Sequence, residues 1–328
     1  MLRNASVLIT LVLLPALVAV AADLKRGVTD PAEAGPDFKL QGEYVGQLQQ
    51  DDRKIDHGFQ VIALGDGKFR AVGYHGGLPG AGWDKAEKAQ ADGQTTDGVT
   101  RFVLKDGDLT LSIKNNVMTV KDAGGKTLGT LKKIERKSPT LGAKPPAGAV
   151  VLFDGTTPEN FKGGRMTDDG LLMEGVTSKQ SFGDFTLHIE FFTPFKPQAR
   201  GQGRGNSGFY AQGRYEVQIL DSFGLEGKSN ECGGVYGIAD SAVNMCLPPL
   251  AWQTYDVEFT AAKWKDGKKI RNAQMTVRHN GVPVHDALEL PRGTTAAPVR
   301  ESPEPGPIFL QNHGNPVRFR NIWVVEKK

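Results

Sequence analysis

The sequence predicts an all-β protein with two β-rich units, a small antiparallel meander or barrel followed by a larger jelly-roll sandwich. Runs of alternating apolar and polar residues recur along the chain, separated by turns rich in Gly, Asp and Asn. Glycine accounts for 41 of the 328 residues, whereas convincing amphipathic helices are scarce. About 306 residues remain after the leader described next, which is more than one core usually organises, so we expect two domains.

The chain begins with a pattern typical of a secretory signal peptide, over residues 1–22. One arginine precedes an apolar run that ends in small residues, so we expect cleavage near Ala21 or Ala22. The run is shorter than the roughly 20 residues of a membrane span, and Pro15 interrupts it. We therefore expect a secreted, periplasmic or extracellular protein without a membrane span, whose residues 23–36 form a flexible N-terminus.

The first β-rich unit is predicted over 37–137. Hairpin turns are indicated by "GDG" at 65–67 and "KDGD" at 105–108, because these residues tolerate positive φ. One short helix is predicted in "GWDKAEKAQADG" at 82–93. The strand-like runs are "FKLQGEYVGQL", "HGFQVIALGDGKFRAVGYHGGL" and "TRFVLKDGDLTLSIKNNVMTVKDAGGKTLGTLKKIER".

Four side chains of this unit, His57, His75, Trp83 and Asp84, could form a site. Nothing in their spacing requires one, so we interpret them as surface or core residues. The sequence does not indicate a role for this unit.

A second β-rich unit is predicted over 149–328, after a linker at 138–148 that is rich in Pro, Gly and Lys. "HNG" at 279–281 is a type I′ hairpin signal. Many antiparallel strands with long connections favour a jelly-roll sandwich. The strand-like runs include "FTLHIEFFTPF", "NSGFYAQ", "YEVQILDS", "QTYDVEFTAAKW", "QMTVRHNGVPV" and "GPIFLQNHGNPVRFRNIWVVEK".

Charge and cysteine content exclude some functions. With 40 basic against 37 acidic residues the net charge is +3, so there is no electrostatic case for nucleic-acid binding. The two cysteines, Cys232 and Cys246, are candidates for a disulfide in an exported chain, with free buried thiols as the alternative. Two cysteines alone do not supply the four ligands of a structural zinc site.

A polar strand face is predicted in "YEVQI" at 215–219. Residues i and i+2 of a strand share a face, so Tyr, Val and Ile form a core side while Glu216 and Gln218 point together to the other side. Strict alternation would place Asp221 on the wrong side, and a β-bulge would return it beside Glu216. This face is either solvated or the floor of a site.

The second unit carries a set of ordered motifs: "VVLFDGTTPENF", "GNSGFYAQGRYEVQILDS", "ECGGVYG", "NMCLPPLAWQTYDVEF", "VRHNGVPV" and "GPIFLQNHGNPVRFRNIWV". Over about 149–328 the chain therefore resembles the 3-keto-disaccharide hydrolase domain family, formerly domain of unknown function 1080; residues 23–148 lie outside the resemblance. The resemblance implies a concanavalin-like (laminin-G/glucanase-like) sandwich and a glycoside substrate whose 3-hydroxyl is already oxidised to a ketone. It also implies net hydrolysis, in some members by 1,2-elimination followed by hydration.

The implied chemistry requires few groups. A ketone at C3 acidifies the proton at C2, and its removal gives an enolate that expels the group at C1. Such a site needs a positioned base, a group that stabilises the enolate oxygen, and an acid or a metal near the leaving group.

Glu216, Asp221 and His313 are the catalytic candidates, with Glu216 as base or metal ligand. The strand is similar to the E-x-D-x-x-E strand of glucanases, but Gln218 replaces the middle acid and an aspartate the last, which argues against a plain retaining mechanism. His313 can act as base, acid or ligand, or be merely exposed. A divalent metal ion held by these three side chains is one option, since they form a mixed O/N set. No other cofactor is indicated.

Further side chains of the second unit are candidates for binding a glycoside or oligosaccharide. They offer aromatic platforms, hydrogen-bonding groups or a Gly-rich loop, although Trp252 is equally consistent with core. A non-catalytic, lectin-like module is the alternative function. The candidates are Gln218, Tyr210, Arg204, Asn206, Glu231, Tyr236, Asn244, Trp252 and Arg318.

Overall fold

The computed structural model describes residues 27–104 and 108–327, and the predicted signal peptide lies outside this part of the chain. The predicted all-β class is confirmed. Helical structure among the described residues comprises α1 (Gly35–Leu40) and a 3-10 turn (Gly201–Gly203). Within the same residues, none of the helices is long and apolar enough to cross a membrane.

Eight antiparallel strands of the first unit form a closed barrel. Each strand pairs with the next along the chain, and the last closes the barrel against the first. The strands are β1 (Gly42–Gln50), β2 (Arg53–Gly65), β3 (Lys68–His75), β4 (Ala89–Thr96), β5 (Val99–Leu104), β6 (Leu109–Lys114), β7 (Val117–Asp122) and β8 (Thr127–Ile134).

The helix predicted at 82–93 is wrong. Residues Ala89–Thr96 form β4, which pairs with both β3 and β5 and so completes the barrel wall. Lys85, in the first half of the predicted helix, has φ +64°, outside the right-handed helical region. The ladder hydrogen bonds on both sides of β4 therefore override the local helix propensity of an Ala- and Lys-rich segment.

The second unit is a sandwich of two antiparallel sheets, as the jelly-roll prediction requires. One sheet has the order β10-β12-β21-β14-β15; the other has the order β11-β22-β13-β16-β19-β20, with β9 also paired to β22. A separate two-stranded ribbon is formed by β17 and β18. The strands are β9 (Val150–Phe153), β10 (Phe161–Lys162), β11 (Leu172–Met173), β12 (Val176–Phe182), β13 (Phe185–Phe192), β14 (Ser207–Ala211), β15 (Tyr215–Ile219), β16 (Gln253–Thr260), β17 (Lys263–Lys265), β18 (Lys268–Arg271), β19 (Ala273–His279), β20 (Val282–Leu290), β21 (Gly306–Leu310) and β22 (Arg318–Glu326).

A side chain of the sandwich closes one end of the barrel. Phe195, which follows β13, is buried in the barrel core and meets the Phe38 ring of α1 edge to face, with ring centroids 5.5 Å apart. Its backbone pairs with that of Val28. Burial of such a ring typically contributes several kcal/mol, so this contact ties the two units together.

The predicted linker lies on the outer face of the sandwich sheet that contains β13. Thr140 donates a hydrogen bond to Asp256 (2.6 Å), and the backbone N–H of Gly142 donates to Glu190 (2.5 Å). Asn321 donates to the carbonyl of Ala143 (3.0 Å). These contacts fasten the connecting segment to the sandwich.

Candidate active site

The two faces of β15 are as the sequence predicts. The Tyr, Val and Ile side chains of 215–219 lie in the sandwich core, and Glu216 and Gln218 point outward. Neighbouring strands add side chains to this outward face. Tyr210 on β14 and Phe309 on β21 lie in register with Glu216, and Gln311 follows in the next row.

A glycine makes room for the carboxylate. Gly208 lies between Gln311 and Gln218 on neighbouring strands, in the row next to that of Tyr210 and Glu216. The carboxylate of Glu216 lies so close to Gly208 that a Cβ at position 208 would collide with Oε1 of Glu216. The same Cβ would also crowd the ring of Tyr210. Glycine at this position therefore sets where the carboxylate lies.

The Glu216 carboxyl has a strongly perturbed environment. Only 3% of the residue is exposed, and burial raises its pKa to about 7, although a hydrogen bond from Tyr210 acts in the opposite direction. The Tyr210 hydroxyl accepts a hydrogen bond from Gln311 Nε2 (3.0 Å), which leaves its own proton for Glu216. Burial raises the pKa of Tyr210 too, so its hydroxyl stays protonated near neutral pH. A carboxyl with a pKa near 7 is suited to proton transfer.

An amide chain holds Gln218 beside this carboxyl. Its Nε2 donates to Oε1 of Gln202 (3.0 Å), and Asn206 donates to the same oxygen (2.9 Å). Gln202 and Tyr236 are only partly buried, and the Tyr236 N–H bonds the carbonyl of Glu216. Gln202 and Tyr236 therefore lie between the buried polar face and solvent.

Asp221 does not join Glu216, because the expected bulge is absent. Strand β15 ends at Ile219 with a regular register, and Asp221 is buried in an ion pair with Arg204 Nε (2.6 Å). Arg204 also donates to the carbonyl oxygens of Ala63 (3.0 Å) and Pro197 (3.2 Å). Both side chains therefore serve the junction between barrel and sandwich, and Arg204 is not free to bind a substrate.

His313 lies in an exposed turn three residues after β21. In the described part of the chain its side chain makes no hydrogen bond to Glu216 or Asp221. The described part of the chain also contains no group of three or more His, Cys, Asp and Glu side chains placed to hold a metal ion. The suggested set of Glu216, Asp221 and His313 therefore does not converge on a metal.

Two further candidates on the loop after β15 have local structural roles. Glu231 accepts hydrogen bonds from the backbone N–H groups of Gly227 (2.5 Å) and Lys228 (3.0 Å). Asn244 is buried and donates to the carbonyl of Ser222 (2.8 Å). Both side chains therefore hold the shape of the loop.

Trp252 and Arg318 lie away from Glu216. Trp252 packs edge to face on Phe192, and the guanidinium of Arg320 stacks 3.9 Å from its ring centroid. Arg318 is buried in an ion pair with Glu174 (2.8 Å). Arg318 is therefore engaged within the protein, and Trp252, just before β16, packs on the sheet opposite the one that contains β15.

The predicted disulfide is not formed. Cys232 and Cys246 are both buried free thiols, and Cys232 Sγ lies 3.2 Å from the hydroxyl of Tyr255. Burial raises the pKa of Cys246 well above its ordinary value, which keeps this thiol protonated. The loop after β15 is therefore held by packing and hydrogen bonds without a covalent crosslink.

Sequence reasoning missed Gly208, Phe309 on β21 and Gln311, the residue that follows β21. The motif "NSGFY" placed a glycine beside an aromatic residue, but its role depends on the register between β14 and β15. Phe309 and Gln311 reach the site because β21, about 100 residues further along the chain, pairs with β14.

Comparison with known proteins places this β-sandwich in a carbohydrate-active class. The profile of the 3-keto-alpha-glucoside-1,2-lyase-like domain matches residues 148–325, and the chain belongs to this family. The resemblance read from the ordered motifs is thereby confirmed. A comparison with curated proteins gives no match.

Two solved structures from Parabacteroides distasonis, each described as a proposed glycosyl hydrolase, are similar to this chain. The first is 31% identical, with a TM-score of 0.51, over 56% of this chain and 85% of that one. The second is 19% identical, with a TM-score of 0.41, over 55% of this chain and 94% of that one. The family and the first of these structures support a carbohydrate-active, glycosyl hydrolase-like enzyme.

Proposed function

We propose that this protein cleaves 3-keto-glycosides by removing the C2 proton, with Glu216 as the base. One observation carries the proposal: a carboxyl whose pKa burial raises to about 7 lies beside Tyr210 on the outward face of the sheet. A base with a pKa near the working pH is both sufficiently ionised and sufficiently basic to take a carbon-bound proton made acidic by a ketone. Family membership supports the substrate class.

The proton and electron pairs balance in this route. Glu216 takes the C2 proton, and the electron pair forms an enolate with the C3 carbonyl. The enolate re-forms the ketone as it expels the oxygen at C1, which takes a proton from the newly protonated carboxyl or from water. Water then adds across the C1–C2 double bond, with hydroxyl to C1 and hydrogen to C2, and gives the 3-keto sugar.

We assign stabilisation of the enolate oxygen to Gln311, which keeps one amide N–H after its bond to Tyr210. Nε2 of Gln218 already donates to Gln202 and Asn230, so Gln218 helps to position the polar face. Gln311 and Gln218 lie on either side of Gly208 in the same row of the sheet, next to Glu216. Amide N–H groups that are fixed before the reaction stabilise an oxyanion without reorganisation. An ordinary two-carboxylate glycosidase is less well supported, because Asp221, the candidate second carboxylate, is tied to Arg204.

The test compares a 3-keto-disaccharide with the parent disaccharide in heavy water. We expect cleavage of the keto sugar alone, with deuterium at C2 of the released 3-keto sugar. Glu216→Gln should abolish cleavage, and Glu231→Gln, which removes a carboxylate from a nearby turn, should leave it intact. Direct hydrolysis would give a product without C2 deuterium, after correction for exchange of the product itself.

Four outcomes would contradict the assignment. Full activity of Glu216→Gln would show that Glu216 is not the base. Equal cleavage of the parent disaccharide would show that the reaction does not need the ketone. Loss of activity with a chelator, restored by a divalent cation, would show that a metal is needed. Calorimetric binding of sugars without any product would instead favour the lectin-like alternative.

We also propose that the protein is exported, on the basis of the signal-like leader at 1–22. N-terminal sequencing of the protein from a periplasmic or culture fraction should find a start near Asp23. A cytoplasmic protein that retains residues 1–22 would refute export without affecting the proposed chemistry.

A further inference from the structure

The barrel contains a cavity at the end opposite α1. Its volume is about 510 Å³, and apolar side chains such as Leu48, Phe59 and Val120 form its wall. Phe38 and Phe195 fill the other end of the barrel. Eight-stranded barrels are just wide enough to be filled by side chains or to hold one small ligand, and this barrel is filled at one end only.

Two histidines lie at the rim of this cavity. His57 on β2 and His75 on β3 are cross-strand neighbours, and their rings meet edge to face with centroids 5.2 Å apart. Phe59 and Gly73, each two residues away on the same strands, also line the cavity. By the strand period of two, both imidazoles therefore point to the barrel interior.

Hydrogen bonds fix the same tautomer in both rings. Nδ1 of His75 lies 2.5 Å from a carboxylate oxygen of Asp84, and Nδ1 of His57 lies 3.0 Å from the carbonyl oxygen of Ile55. Because an ionised carboxylate and a carbonyl only accept, each Nδ1 carries the proton. In a neutral imidazole the second nitrogen, Nε2, is then an acceptor. Burial lowers the pKa of His57, which favours the neutral ring.

We propose that the barrel binds an apolar small molecule that bears a hydroxyl group, such as a phenol. Its apolar body fills the cavity, and its hydroxyl donates to Nε2 of His57 or His75. The cavity volume falls within the usual range for small-molecule sites, which combine an apolar lining with a few placed polar groups. This binding is independent of the glycoside cleavage proposed above.

The first test uses a matched pair of fluorescent ligands. The full chain is titrated with 2-naphthol and with 2-methoxynaphthalene, which has a similar shape but no hydroxyl donor. We expect saturable 1:1 binding of 2-naphthol, about tenfold tighter than the methoxy compound, as one hydrogen bond would give. Equal affinities would overturn the hydroxyl recognition, and no saturable binding would overturn the proposal.

Two tryptophan variants test the location. Ala89, on β4, lines the cavity, so Ala89→Trp should obstruct it and weaken 2-naphthol binding by at least about tenfold. Val103, on β5, is 60% exposed, so Val103→Trp places the same side chain on the barrel surface and should bind like the wild type. An equal loss of 2-naphthol affinity in both variants would contradict binding inside the barrel. Unchanged affinity in Ala89→Trp would contradict it as well.

A milder variant covers the case in which Ala89→Trp does not fold. His75→Phe keeps a ring of similar size but removes one hydrogen-bond acceptor. His57→Phe does the same at the other histidine, and both variants would be measured with both ligands. We expect at least one of them to lose the preference for 2-naphthol over 2-methoxynaphthalene while still binding the methoxy compound. Retention of the full preference in both variants and in their combination would refute the assigned acceptors.

Discussion

At the scale of single residues, the proposed chemistry depends on the ionisation of Glu216. Its carboxylate is the basic form, and burial raises its pKa to about 7. We therefore predict that the cleavage rate at low substrate concentration falls about tenfold for each pH unit below 7 and levels off above it. Initial rates between pH 5 and pH 9 would test this, and a flat profile through pH 7 would contradict a base with this pKa.

The same pKa predicts an effect on stability. The carboxyl titrates near 4.5 in the unfolded chain and at about 7 when folded, so its contribution to stability is present below pH 4.5 and is lost as the pH rises through 7. Glu216→Gln does not ionise, and its stability relative to the wild type should rise by roughly 2–3 kcal/mol between pH 4 and pH 8. Urea unfolding of both proteins at pH 4 and pH 8 would measure this change. A stability difference between variant and wild type that is the same at both pH values would contradict the raised pKa of Glu216.

Sequence reasoning located Glu216 and Gln218 on one strand face, but it did not predict where Asp221 lies. The alternation in 215–219 has a period of two, and one buried face is sufficient to fix which side chains point outward. The end of the strand has no such signal. Asp221 leaves the strand because Arg204, 17 residues earlier, offers a buried partner. An ion pair of this kind depends on tertiary packing, and the sequence of one strand does not predict it.

At the scale of strands, Gly208 links the register of β14 and β15 to the position of the carboxylate. A Cβ there would collide with Oε1 of Glu216. We predict that Gly208→Ala lowers kcat at least about tenfold, because it displaces the base from its hydrogen bond with Tyr210. Gly183→Ala is the matched control, since a Cβ at 183 meets nothing within 4 Å. Equal activity of the two variants would show that this close approach is not needed.

The buried ion pair between Asp221 and Arg204 connects a strand end of the sandwich to β2 of the barrel. Asp221→Asn leaves the buried Arg204 without its counter-charge and should cost about 3–5 kcal/mol of stability. Because Asp221 does not touch Glu216, the folded fraction of the variant should retain kcat. Denaturant unfolding and active-site-normalised kinetics would separate the two effects. A fall in kcat with unchanged stability would restore Asp221 as a catalytic candidate.

At the scale of the whole molecule, closure of the barrel was beyond sequence reasoning. Alternating runs and Gly-Asp turns predict hairpins, and these are local. Whether the meander closes depends on β8 meeting β1, about 85 residues earlier, and on the segment at 82–93 contributing to the wall as β4. Contacts of such long range depend on the summed twist and register of all eight strands. An open meander and a closed barrel therefore remained equal alternatives.

The packing of Phe195 predicts that barrel and sandwich unfold together. This ring belongs to the sandwich chain segment, yet only 1% of the residue is exposed within the barrel core. Removal of its atoms by Phe195→Ala should cost about 3–5 kcal/mol and should uncouple the units, so that one calorimetric transition becomes two.

Phe102→Ala is the matched control for this experiment. Phe102 is a barrel core residue on β5 with the same 1% exposure, and its loss should destabilise the barrel by a similar amount while the junction stays intact. We therefore expect a single transition at a lower temperature for Phe102→Ala, and two transitions for Phe195→Ala. Hydrogen exchange would assign the lower transition to β1–β8. A single transition in Phe195→Ala, even at a lower temperature, would show that the linker contacts at Glu190 and Asp256, together with the Arg204 bonds, are sufficient to couple the units.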